Sequence, residues 1–163
     1  RSLGIKYTEL HPSKSFEYLM LEHKRRDGKI GYGWCGGPCR WGTGDKLRVL
    51  RKYCKGHHQY IGIAYDEPVR YARLKEHCSA PLYEWHITEE QALQICYENN
   101  IMFDKLYTFL KRVSCWCCRN KNLKELKAYK EYLPEYYKKL CELEEKIGEP
   151  MKKPYTLKER FGE

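Results

Sequence analysis

Nine cysteines occur in the 163 residues, and four of them form two close pairs. Cys35 and Cys39 make a C-x3-C pair in a glycine-rich stretch, and Cys115 and Cys118 make a C-x2-C pair much later in the chain. Two such pairs on separate loops are the usual pattern of a four-cysteine site, because each pair holds one side of a tetrahedral metal or an iron–sulfur cluster. Four thiolates alone do not decide between zinc and iron.

The alternative for these pairs is that they are buried, inert thiols, as we expect for Cys54, Cys96 and Cys141. Cys117 lies inside the second pair and could replace Cys115 or Cys118 as a ligand. A secreted disulfide framework is not expected, because no secretory signal is visible. Three tryptophans flank the pairs and favour a buried metal centre over an exposed redox disulfide; they are Trp34, Trp41 and Trp116.

The formal net charge is +9, and the first third of the chain is the most basic part: residues 1–55 carry 13 Lys and Arg against 5 Asp and Glu. This suits a phosphate-bearing partner, either a nucleotide or a nucleic acid, although a surface tuned for solubility would look the same. The cations nearest the first cysteine pair could form a phosphate-binding face or an ordinary solvated helix face. They are Arg40, Lys46, Arg48, Arg51 and Lys52.

Hydrophobic residues make up 42% of the chain and aromatic residues 14%, which argues against disorder. No apolar stretch approaches the ~18 residues of a membrane-spanning helix, and the first residues lack the pattern of a signal peptide. We therefore expect a cytoplasmic protein without a membrane segment.

The periodicity alternates between strand and helix signals up to residue 118 and is purely helical afterwards. It predicts an α/β fold with a small, mainly parallel sheet flanked by helices and a helical C-terminal tail. Residues 1–118 would carry both cysteine pairs, and residues 119–163 would be a helical extension of the same domain. The predicted strands are residues 4–10, 59–64 and 81–85. The predicted helices include one with the apolar stripe Phe16, Leu19 and Met20, one at 88–99 with a Thr88–Gln91 capping box, one at 104–111, and two closing helices.

Asp66, Glu67 and Arg70 directly follow the predicted strand 59–64. Open α/β sheets bind ligands at the carboxyl ends of their strands, so these residues are candidates for phosphate contacts. The alternative is a helix start, with Asp66 as the cap, Glu67 in the first turn and Pro68 early in the helix.

Three segments in this order resemble the phosphoadenosine phosphosulfate (PAPS) reductase-like family of the adenine nucleotide α-hydrolase superfamily. They are Gly62–Arg70, Pro81–Glu89 and Arg112–Cys118, and the Ser-Cys-Trp-Cys-Cys form is similar to the bacterial and phage subgroup. The resemblance implies that Cys35, Cys39, Cys115 and Cys118 hold a [4Fe-4S] cluster, with Zn²⁺ as the alternative. It also implies that the loop with Asp66, Glu67 and Arg70 faces the phosphates, or the transferred group, of an adenine nucleotide or sulfonucleotide. Arg40 is a further candidate for phosphate binding because of its charge beside the cysteine loop.

The sequence departs from the family in three places. It contains no Ser-Gly-Gly-x-Asp-Ser phosphate loop and no Cys-Gly-Thr ending, and Gly42 stands where relatives place a cysteine. We therefore expect a partial or truncated member that is inactive alone. The other hypotheses are a zinc-stabilised nucleic-acid-binding module and an interaction subunit that completes a partner supplying the phosphate loop. A partner subunit or a homo-oligomer is therefore possible.

Overall fold

The computed structural model describes residues 4–34 and 39–162, and the chain divides into two compact units. Unit 1 combines Arg1–Leu50 with Tyr107–Glu163, and unit 2 is Arg51–Leu106. The helices and strands in chain order are α1 (Phe16–Leu21), α2 (Leu47–Tyr53), β1 (Gln59–Tyr60), α3 (Pro68–Tyr71), β2 (Cys78–Ser79), α4 (Pro81–Glu84), α5 (Glu89–Glu98), α6 (Leu123–Tyr132), α7 (Pro134–Ile147) and α8 (Leu157–Phe161). A π-helical segment, Arg40–Lys46, precedes α2, and a 3₁₀ segment, Phe103–Thr108, follows α5.

Unit 1 is a helical assembly in which α6 packs on α7, and α7 also contacts α1 and α8. The apolar stripe predicted for α1 is confirmed, because Phe16, Leu19 and Met20 are all buried. The central side chains of this core are fully enclosed: Leu126, Leu140, Met151 and Leu157. Burying a side chain of this size stabilises the fold by roughly 1.5–3 kcal/mol. The core therefore rests mainly on the C-terminal helices.

The segment between α7 and α8 is fixed by a buried carboxylate. Glu144 accepts hydrogen bonds from the Met151 N–H at 2.6 Å and from the Leu157 N–H at 2.8 Å. The Tyr137 hydroxyl donates to the Leu157 carbonyl at 3.0 Å. Buried polar groups are tolerated when they are hydrogen-bonded in this way, so the polar contacts here serve to close the chain over its core.

Unit 2 contains the sheet. Strands β1 and β2 are parallel, with Gln59 opposite Cys78 and Tyr60 opposite Ser79. The capping box predicted for α5 is confirmed: the Thr88 hydroxyl accepts from the Gln91 N–H, and the Gln91 side chain accepts from the Thr88 N–H. Helices together with a two-stranded parallel sheet make this a small α/β protein, as the sequence predicts.

Three of the predicted elements are wrong. Residues 4–10 form no strand and are almost entirely exposed. Residues 81–84 form helix α4, because Pro81 lacks the N–H that a strand needs but suits the first position of a helix. The predicted helix 104–111 is a 3₁₀ segment interrupted by left-handed backbone at Asp104 and Lys105. The strand predicted at 59–64 exists but is only two residues long.

No helix in the described part of the chain is both long and apolar enough to cross a bilayer.

Candidate metal centre

A cavity of about 370 Å³ in unit 1 carries four cysteines in its wall. The thiols come from Cys39 and from Cys115, Cys117 and Cys118, so residues distant in sequence share one space. The other lining residues are Phe16, Met20, Trp34, Trp41, Arg112, Val113, Ser114, Arg119 and Asn120. The lining thus combines soft sulfur donors, aromatic rings and cations, and no acidic side chain is among the described residues that form it.

The second cysteine pair is shaped by two consecutive tight turns. The Cys118 N–H donates to the Cys115 carbonyl at 3.0 Å, and the Lys121 N–H donates to the Cys118 carbonyl at 3.1 Å. Helix α6 begins immediately afterwards with a capping box between Asn122 and Glu125. An i→i+3 turn brings its first and last residues close together, so the loop holds Cys115 and Cys118 near each other and ties both to the helix.

The segment leading to the first pair is fixed against α1. The Tyr32 and Gly33 N–H groups donate to the Leu19 and Met20 carbonyls, each at 3.0 Å. The buried Trp34 donates through its indole N–H to the Glu149 carbonyl at 2.8 Å. These contacts fix the chain up to the residue that precedes Cys35.

Arg119 connects the two cysteine segments. Its Nη1 donates to the Trp34 carbonyl at 3.3 Å. Since Arg119 follows Cys118 and Trp34 precedes Cys35, this bond joins the residues next to both predicted pairs.

Aromatic rings cover one side of the cavity. The Phe16 ring meets Trp41 and Trp116 edge to face, each with ring centroids 5.8 Å apart. The Trp41 indole N–H is buried and has no hydrogen-bond acceptor among the described residues. A buried donor without a partner is costly, and the sulfur atoms of a bound centre would be acceptors.

The electrostatic environment combines thiols and cations. The Lys46 ammonium lies 4.0 Å from the Cys115 sulfur, and Arg112 and Arg119 line the cavity. Burial, and then the charge of the Cys115 thiolate, raises the pKa of Cys117 to about 12. Burial also lowers the pKa of Lys121 from its usual value. Cys117 is therefore a neutral thiol at physiological pH unless a metal displaces its proton.

Three of the four predicted ligands share the cavity: Cys39, Cys115 and Cys118. The fourth, Cys35, lies outside the described residues. Among the described residues, no group of three or more His, Cys, Asp or Glu side chains is arranged to hold an ion. The convergence of all four sulfurs on one centre therefore stays a prediction.

The predicted phosphate-binding residues lie in unit 2, except Arg40, whose side chain is outside the described part of the structure. The Arg70 guanidinium donates to both carboxylate oxygens of Glu67 at 2.6 Å. Asp66 accepts from the Glu89 N–H at 3.1 Å, so it binds the start of α5 and does not cap α3. Pro68 is the first residue of α3, as the alternative interpretation predicts. This loop is thus tied together by its own side chains.

Sequence reasoning missed Ser114, Arg119 and Lys121, which contact the cysteine loop or its neighbours. The sequence indicates a role for these residues only through their positions beside the cysteines. A lysine at such a position is usually exposed, so its burial could not be read from the sequence.

Comparison with known proteins gives no match: no family model, no curated protein and no solved structure is significantly similar to this chain.

Proposed function

We propose that the cavity is a metal centre held by Cys35, Cys39, Cys115 and Cys118, in a PAPS reductase-like protein. The supporting observation is that cysteines from two distant segments line one cavity. Soft thiolate ligands suit zinc and iron–sulfur clusters, and the described lining has no carboxylate of the kind that usually holds magnesium or calcium. The donor set therefore fits the proposed group.

Charge favours the same proposal. Four thiolates around Zn²⁺ or a [4Fe-4S]²⁺ cluster carry a net negative charge, and cations nearby offset such a charge. Lys46, Arg112 and Arg119 lie at or near the sulfurs. The rings of Phe16 and Trp41 form part of the cavity wall, and Trp41 would give its unpaired N–H to the centre.

The [4Fe-4S] cluster is favoured over Zn²⁺ on the family resemblance. A cluster would supply redox or electrostatic chemistry, whereas zinc would act as a structural cross-link. The proposal includes the finer fold, a mainly parallel sheet flanked by helices, and an adenine nucleotide or sulfonucleotide as the ligand. Asp66, Glu67 and Arg70 would contact its phosphates, with the ligand competing against Glu67 for the Arg70 guanidinium.

The deciding experiment is metal and sulfide analysis, with an absorption spectrum, of protein purified without oxygen. We expect one centre per chain in the wild type and loss of most of it in Cys39→Ser. Cys96→Ser, which changes a half-buried thiol of α5, is the control and should keep the full metal content. Wild-type protein that stays metal-free after reconstitution, or a Cys39→Ser variant that keeps its centre, would contradict the proposal.

A second candidate is binding of nucleic-acid phosphates, and one feature favours it. Residues 23–31 form a tight turn closed by the Lys24–Ile30 bridge, and it exposes Lys24, Arg26 and Lys29. If these cations contact phosphates, affinity for single-stranded DNA should fall steeply with salt and should drop in a triple Gln variant of the turn. The control is a triple variant that removes the same amount of positive charge elsewhere: Lys124→Gln, Lys127→Gln and Lys138→Gln. Equal DNA affinities of the two triple variants would refute this role.

A further inference from the structure

Lys121 is buried beside the cysteine loop. Its exposed fraction is only 2%, and it is the last residue before Asn122, the N-cap of α6. The same pair of turns that shapes the cysteine loop fixes its backbone, since its N–H donates to the Cys118 carbonyl at 3.1 Å. The side chain is therefore placed by the loop that carries the proposed ligands.

The ammonium group of Lys121 has little to compensate its charge. Its Nζ donates to the Ser114 hydroxyl at 2.7 Å and lies 4.3 Å from the centroid of the Tyr129 ring. No carboxylate within the described ranges 4–34 and 39–162 lies within 4 Å of Nζ. Glu125, one turn along α6, accepts the Asn122 N–H in the capping box at 2.7 Å. A buried charge without an ion partner is expensive, so an anionic neighbour is needed.

The Glu125 carboxylate, and after it the thiolates of Cys118, Cys115 and Cys117, are the negative charges that raise the pKa of this ammonium against the effect of its burial. Ser114 precedes Cys115 and lines the cavity, and Lys121 follows the turn that ends at Cys118. Because the Ser114 oxygen accepts from the ammonium, its own proton remains available to donate elsewhere, including to an atom in the cavity. Ser114 thus connects the buried cation with the space where the centre would sit.

We propose that Lys121 is the counter-charge of the metal centre, acting directly through its field and indirectly through Ser114. This inference rests on the proposed function, because it requires a bound, negatively charged centre. Lys121 is a positioning residue that contacts no metal itself. Groups in this outer layer typically change metal affinity by about 10–100-fold when they are replaced.

The test compares wild type with Lys121→Met, which keeps an unbranched side chain only one atom shorter and removes its charge. The affinity for Zn²⁺ is measured by competition with a chromophoric chelator, and the thermal unfolding midpoint is measured without metal. We expect affinity to fall at least about tenfold, while the metal-free protein is unchanged or more stable, because an uncompensated buried charge is gone. A purely structural lysine would lower the stability of the metal-free protein.

Lys124→Met is the matched control, since Lys124 is exposed on α6 and should affect neither quantity. Ser114→Ala removes the connecting hydroxyl and should weaken Zn²⁺ binding severalfold. If Lys121→Met does not fold, Ser114→Ala is the remaining test of the inference. Unchanged Zn²⁺ affinity in Ser114→Ala would then overturn it. Wild type that holds neither Zn²⁺ nor a reconstituted iron–sulfur cluster would overturn both this inference and the metal centre, whereas Zn²⁺ affinity equal in wild type and Lys121→Met would overturn the role of Lys121 alone.

Discussion

Gly31 occupies a position where the chain passes directly over the end of α1. Its φ is +67°, and a Cβ there would lie 2.1 Å from the Met20 carbonyl oxygen. Gly28 has a similar φ of +82°, but a Cβ there would meet nothing within 4 Å. Replacing each glycine therefore distinguishes two costs: both positions carry the cost of a left-handed backbone, and only Gly31 adds a steric clash.

We predict that Gly31→Ala destabilises the protein by more than about 3 kcal/mol, because the added carbon forces the 31–34 segment away from α1. Gly28→Ala carries only the cost of a left-handed alanine, about 1–2 kcal/mol. Urea unfolding of both variants measures the difference, and equal free energies of unfolding would contradict the close approach at Gly31.

The pKa of Cys117 leads to a prediction about its reactivity in the metal-free protein. Because burial raises that pKa to about 12, the reactive thiolate is scarce at pH 8 and increases about tenfold with each added pH unit. Iodoacetamide should therefore modify the exposed Cys115 well before Cys117, and the Cys117 rate should climb steadily from pH 8 to pH 10. Mass spectrometry of timed samples follows both sites; equal rates at pH 8 would show that Cys117 is not buried.

At the level of elements, the sequence predicts the features that depend on local interactions. The α5 capping box at Thr88 and the last long helix, from Pro134 to the left-handed Gly148, are visible in the sequence because neighbouring residues create them. The sheet is harder to predict from the sequence, because each strand of a two-residue parallel pair depends on a partner that is distant in the chain. Residues 81–85 alternate like a strand, yet Pro81 starts a helix there.

Helix α6 connects the core of unit 1 to the cysteine loop through its cap. Asn122 accepts the Glu125 N–H at 2.9 Å, four residues after Cys118. We predict that Asn122→Ala costs about 1 kcal/mol of stability and also weakens Zn²⁺ binding, because the cap fixes the end of the loop. Thr88→Ala removes an equivalent cap in unit 2 and should cost a similar amount without changing Zn²⁺ affinity. Chemical unfolding and chelator competition on both variants check this; a loss of Zn²⁺ affinity in Thr88→Ala as large as in Asn122→Ala would contradict it.

At the level of the whole molecule, unit 1 joins both ends of the chain. The spacing within each cysteine pair can be read from the sequence, but the shared cavity depends on tertiary contacts such as Arg119 to Trp34. The burial of Lys121 cannot be predicted from the sequence either, because the residues around it are typical of an exposed, polar helix start. The predictable part of the candidate site is therefore the set of thiols, and the cations and rings around them require the structure.

The two units also differ in how much apolar surface they enclose. In the described part of unit 2, the buried apolar residues are Ile63, Ala64 and Ala80, two of which are small. Unit 1 encloses larger side chains along α6 and α7, among them Leu126 and Leu140 at 0% exposure. Because burial of apolar area is the main source of stability, unit 2 has less to resist opening.

We predict that backbone amides of unit 2 exchange with solvent through an opening of lower free energy than those of α7. Amides in α7 should require nearly global unfolding, at about 5 kcal/mol or more, whereas those of residues 59–79 should exchange several kcal/mol below that value. Hydrogen exchange with mass spectrometry at increasing urea measures both. Added Zn²⁺ should slow exchange at residues 114–121, because a ligand that binds only the folded loop stabilises it by mass action. Residues 59–79 that exchange as slowly as α7 without metal would show that the small apolar core of unit 2 does not limit its stability.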